Sequence, residues 1–169
     1  GRELLGTVLI SQKNIALTLG KLEEQGVLKS RKSGNIKYYR LNVKNTEIKD
    51  ILFILETIRK INFLAKNRKI ANLFKSDNRI VGIFGSYVKG TQKRDSDIDV
   101  FIIGNKTKND YNKLGELFDL NISIKYFSEK EFKELITNSL IREIVNDHLI
   151  IFGIESFINK LWSDYYGFN

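Results

Sequence analysis

Two short apolar runs constrain this chain more than anything else in it. Ile80 to Phe84 and Ile98 to Ile103 are separated by a polar, glycine-containing connection. Apolar runs of this length, bounded by turn residues, are consistent with buried strands. The first ends in Gly85-Ser86, where a small residue lets the backbone come close to a ligand. The second opens Asp97-Ile98-Asp99-Val100. Alternate residues of a strand share a face, so Asp97 and Asp99 point one way while Ile98 and Val100 point into a core. Neighbouring carboxylates repel and lose solvation, an arrangement that calls for a cation between them. Hard oxygen ligands on a strand suit Mg2+ or Mn2+, which complete their shells with water and substrate phosphates.

Spacing excludes one competitor. Asp95, Asp97 and Asp99 have the rhythm of the first ligands of a calcium loop. Val100, however, stands where that loop needs glycine, and Lys106 where it needs a bidentate glutamate. A hairpin with solvated acids at its edge is the plainer reading of the same residues.

The full pattern resembles the nucleotidyltransferase superfamily that includes DNA polymerase beta: a strand, Gly85-Ser86, ten residues, then Asp97-Ile98-Asp99. Within that superfamily it is most similar to the minimal nucleotidyltransferases of archaea and bacteria. The stretch Leu140 to Ile144, continuing through Phe152 and Phe157, is similar to the end of those proteins. The resemblance implies transfer of a nucleoside monophosphate from an NTP, expected to be ATP, to a hydroxyl on a protein or nucleic acid. It implies that Gly85, Ser86 and Lys89 bind nucleotide and that Asp97 and Asp99 are catalytic and hold Mg2+ or Mn2+. Lys93 and Arg94 would add positive charge near the phosphates. Members of the family are often antitoxins that modify a partner toxin, so a toxin is one expected acceptor. The family also carries a third carboxylate on the following strand. The matching position here is Ser123, which is neither an anionic ligand nor a base at neutral pH. That departure opens a second reading, a DNA-binding regulator that senses nucleotide without turning it over.

Charge is unevenly distributed. Residues 1–45 carry nine Lys/Arg against three Glu, and the remainder nineteen against seventeen. This is the pattern of a polyanion-binding module joined to a nearly neutral one. Ser11 reads as a helix N-cap, with Ile15, Leu19 and Leu22 along one face and Gly26 as the stop. Residues 27–41 read as a hairpin with a basic tip. Helix and hairpin together resemble the second half of a winged helix-turn-helix domain. On that resemblance Gln12, Lys13, Asn14, Thr18 and Lys21 face DNA from the recognition helix, while Arg31, Lys32 and Lys37 meet phosphates from the wing. The first helix of such a domain would precede Arg2, so a start upstream of residue 1 is expected.

From Thr46 to about Phe74 there is no Gly or Pro. The spacing predicts a long connecting helix, broken near Asn67, whose apolar stripe is packing or the seam of a homodimer. Further on, a helix is expected over Lys108–Asp119 with Tyr111, Leu114, Leu117 and Phe118 on one stripe. A strand over 120–127, a capping-box helix from Ser128 through Thr137, a helix over 140–147 and a last strand over 149–152 follow. Trp162, Tyr165 and Tyr166 belong to an expected docked C-terminal helix. His148 reads as a packing residue.

The expected class is therefore α+β, in three parts. These are a partial winged helix-turn-helix domain (1–45), a connecting helix (46–74) and a small mixed-sheet nucleotidyltransferase domain (75–169). No run approaches the length of a membrane span, no signal peptide is visible, and there is no cysteine, which together point to the cytoplasm.

Overall fold

The computed structural model describes residues 11–107, 111–134 and 138–162. The chain divides into two compact units, 1–51 and 52–169. Expectations for Arg2–Leu9, Lys108–Asp110, the end of the capping-box helix and the tail beyond Trp162 lie outside the described residues.

In the smaller unit, α1 (Gln12–Glu24) starts at Ser11, whose Oγ accepts from the Asn14 N–H at 3.3 Å. Gly26 ends it with φ 72°, a left-handed conformation that costs a residue with a Cβ about 1 kcal/mol or more. Strands β1 (Leu28–Ser33) and β2 (Ile36–Leu41) pair antiparallel from Leu28–Leu41 to Ser33–Ile36, leaving Gly34-Asn35 as a two-residue turn. Glu23 ties the helix to the hairpin. Its carboxylate accepts from Ser30 Oγ and from Lys37 Nζ, each at 2.5 Å.

Helix α2 (Glu47–Lys66) follows, and the division between the units falls within it. It breaks at Asn67, whose side chain donates to the Phe63 carbonyl, and α3 (Arg68–Leu73) continues. The larger unit is built on a four-stranded mixed sheet. Its strands are β3 (Ile80–Phe84), β4 (Ile98–Ile103), β5 (Ile122–Phe127) and β6 (His148–Phe152), in spatial order β5-β4-β3-β6. β3 runs antiparallel to both neighbours, and β4 and β5 are parallel. The parallel pair needs a crossover, which α5 (Tyr111–Leu117) supplies. Helices α6 (Glu129–Glu134), α7 (Ser139–Asn146) and α8 (Ile154–Leu161) complete the unit.

Alternation along the central strands makes two cores. Ile98, Val100 and Ile102 join Val81 and Ile83 on one face, with Leu73 and Tyr111. Phe101 and Ile103 join Phe84 on the other, against Ile141, Ile144 and Phe157. Gly82 makes room there, because a Cβ in its place would lie 2.5 Å from the Phe101 ring. Phe101, Phe132 and Phe157 are among the largest fully buried side chains; cutting any one to alanine costs roughly 3–5 kcal/mol.

The capping box is present in full: Ser128 Oγ accepts from the Glu131 N–H, and Glu131 accepts from the Ser128 N–H at 2.7 Å. One expectation fails. Leu117, placed on the buried stripe of α5 by its spacing, is 77% exposed. The helix ends there, and the chain turns at Asp119 with φ 55° before the stripe can continue. His148 packs edge-on against Phe157, and its Nδ1 lies 2.9 Å from the Ile144 carbonyl, as expected of a packing residue. Among the described residues no helix is long and apolar enough to cross a membrane.

Candidate active site

The site forms where β3 ends and β4 begins. Antiparallel register sets Phe84 opposite Asp99, so the residue after Phe84 turns back over that carboxylate. Gly85 makes the turn with φ 73° and ψ −145°, a region open essentially to glycine alone. A Cβ there would stand 2.6 Å from Asp99 Oδ2. The bend and the acid thus fit one another through the absence of a side chain.

Ser86 opens a single helical turn, α4 (Ser86–Lys89), stopped by Gly90 in the left-handed conformation. The first N–H groups of a helical turn have no partner within it and remain available to an anion. The connection back to β4 is held locally. Ser96 Oγ accepts from the Lys93 N–H at 2.8 Å, and Tyr87 Oη lies 3.4 Å from the Ser96 carbonyl. Those bonds deliver Asp97, exposed, and Asp99, half-buried, to the rim of the sheet.

Burial raises the Asp99 carboxyl above the usual range, and the charges of Asp97 and then Glu143 push it further; Lys125 opposes them. The structure therefore places near Asp99 two residues that sequence reasoning missed. Glu143 comes from α7, where Ile141, Ile144 and Val145 take the core side and turn it outward. It accepts from Lys89 Nζ at 2.5 Å, with Asp147 Oδ2 3.8 Å from the same nitrogen. No spacing rule links α7 to the Gly85 bend across more than fifty residues. The one available signal is the outward position of Glu143 among buried isoleucines.

Parallel register sets Ser123 beside Asp99. Asp119 is exposed beyond α5, and Glu129 pairs with Lys160 at 3.6 Å. Among the described residues no group of three His, Cys, Asp or Glu could hold a metal ion. The two aspartates nonetheless fit a Mg2+-like ion, which takes one or two carboxylates and completes its shell from substrate phosphates and water.

A separate cavity of about 880 Å3 opens at the far end of β3, around Asp77, Arg79 and Tyr111. Its size does not make it the reacting centre, because these groups satisfy each other. Asp77 accepts from Arg79 Nη2 at 2.6 Å and from Tyr111 Oη at 2.7 Å. Burial would raise Asp77, but these bonds outweigh it and hold its carboxyl at about 2.

In the smaller unit, Gln12, Lys13, Asn14, Thr18 and Lys21 are exposed on α1, as are Arg31 and Lys32 on the hairpin. Lys37, on β2, is placed beside Glu23. It is half-buried and paired with Glu23 at 2.5 Å, a contact that also links hairpin to helix.

The nucleotidyltransferase domain family matches residues 64–158, more than half of the chain, and the chain belongs to that family. One solved structure, of a toxin-antitoxin with AMP-PNP, is similar at 20% identity over 59% of this chain and 86% of its own, with a TM-score of 0.40. No curated protein matches the sequence.

Proposed function

We propose that the larger unit transfers a nucleoside monophosphate from an NTP, ATP first among them, to a hydroxyl on a protein or nucleic-acid acceptor. The observation that carries this reading is the fit of the Gly85 bend to the Asp99 carboxylate. A triphosphate lies against the free N–H groups of the bend and the Ser86 hydroxyl, with Lys89 within reach from the end of α4. Asp97 and Asp99 would hold Mg2+ or Mn2+, which when bound neutralises charge on the phosphates. The acceptor oxygen attacks the α-phosphorus, the bond to the bridging oxygen breaks, and pyrophosphate leaves. The hydroxyl proton goes to water, because Ser123 does not take it.

A second reading rests on that same serine. With no acid beside Asp99 on β5, the unit binds nucleotide and reports it through DNA affinity, the basic face of the smaller unit doing the binding. Incubation with α-labelled ATP, divalent ion and candidate acceptors separates the two. Label on an acceptor, lost in Asp97→Asn and Asp99→Asn, supports transfer. Nucleotide-dependent DNA binding without label supports the sensor. DNA binding itself requires affinity that falls steeply with salt and a salt slope that flattens when Arg31 and Lys32 are replaced by alanine.

A further inference from the structure

Helix α2 is apolar on two sides. Leu52 packs into one core of the larger unit, Phe63 and Leu64 into the other, and Glu56 turns toward His148. On the far side Ile51, Ile54, Leu55, Ile58 and Ile61 are between 39% and 58% exposed. A helix with apolar residues on both sides calls for cover on both. We infer that the exposed stripe is an interface with a second copy of this chain, the two α2 helices lying antiparallel.

Three features point to a second copy. The isoleucines recur at alternating intervals of three and four, the seam of a paired helix. Their spacing is also palindromic. Reversed, Ile51 falls opposite Ile61 and Ile54 opposite Ile58, so the surface complements itself about a two-fold axis level with Glu56, whose own side chain turns away toward His148, as an isologous dimer demands. No like charges meet in that register, because Asp50 faces Asn62 and Thr57 is neutral. Finally, the five side chains expose about 500 Å2, roughly 1,000 Å2 for the pair, which reaches the size at which specific interfaces begin. A patch of about 500 Å2 is near the top of the range for the largest apolar patch on a monomer, the kind that is often functional.

Sedimentation of the full chain at tens of micromolar tests the inference. The expected mass is twice 19.6 kDa. Ile54→Asp and Ile58→Asp should each weaken association at least 100-fold while leaving the denaturation midpoint of a dilute sample in place. A single-chain mass for the unsubstituted protein overturns the proposal, as does a dimer that survives both substitutions. Because the chain has no cysteine, orientation is also open to test. Separately made Ile51→Cys and Ile61→Cys chains should cross-link to each other when mixed and oxidised, and neither to itself. Self-cross-linking of either alone contradicts the antiparallel arrangement.

Discussion

Replacing Gly85 by alanine tests the fit between bend and acid quantitatively. Two costs follow from the geometry. At φ 73° and ψ −145° an alanine pays about 1–3 kcal/mol of backbone strain. Its Cβ also stands 2.6 Å from Asp99 Oδ2, and rotating that carboxylate off its rotamer adds about 1 kcal/mol. The expected loss is about 2–4 kcal/mol. Gly90→Ala serves as control, since Gly90 has φ 69° but open space around its missing Cβ, and should cost about 1–2 kcal/mol. The two costs at Gly85 come apart in a double-mutant cycle. In an Asp99→Ala background the nearest remaining atom is the Cβ of residue 99, at 3.6 Å, so only the backbone cost survives. A coupling of about 1 kcal/mol should result, above the 0.3–0.5 kcal/mol scatter of independent sites. Urea unfolding followed by fluorescence is a suitable assay, because the single tryptophan, Trp162, belongs to the larger unit. Equal losses at Gly85 with and without the Asp99 side chain would refute the argument that the glycine is there to admit the carboxylate.

Further outcomes follow from the charges. Asp77 is held at about 2 against an ordinary 3.8, so its contribution is complete above pH 5 and is lost as pH falls toward 2. Asp77→Asn should cost about 2 kcal/mol at pH 7 and almost nothing at pH 2, as read from unfolding midpoints across that range. Asp99 is raised, first by burial and then by Asp97, so its ionisation destabilises the metal-free fold as pH rises through and above the normal carboxylate range. Asp99→Asn should therefore raise the unfolding midpoint at pH 7 in chelator, an advantage that shrinks toward pH 3. His148 is lowered chiefly by burial, so the larger unit should lose stability as pH falls below 6.5, and His148→Gln should weaken that dependence.

The strands of the site were legible because the change at their ends is abrupt. Phe84 is followed by glycine, and Ile98 is preceded by an acid that has no place in a core. The capping box at Ser128 was equally plain, because each of its bonds is made between residues three apart. What the sequence hid is whatever depends on elements meeting from far along the chain. Glu143 reaches the vicinity of Asp99 only through the packing of α7, and Asp77 finds Tyr111 across thirty-four residues. Lys37 looked like one more cation of a basic tip until β2 folded it against Glu23. Leu117 kept the period of a buried stripe, yet its helix stops before that period matters.

Whether Asp97 and Asp99 hold a divalent ion against a bound nucleotide is read from Mn2+ binding in the presence of a non-hydrolysable ATP analogue, followed by the loss of the free-ion paramagnetic resonance signal. Saturable binding is expected that needs the nucleotide and falls at least tenfold in Asp97→Asn and in Asp99→Asn, with the fold of each intact. Binding that is indifferent to both substitutions, or none at millimolar nucleotide, would contradict that role for the two aspartates.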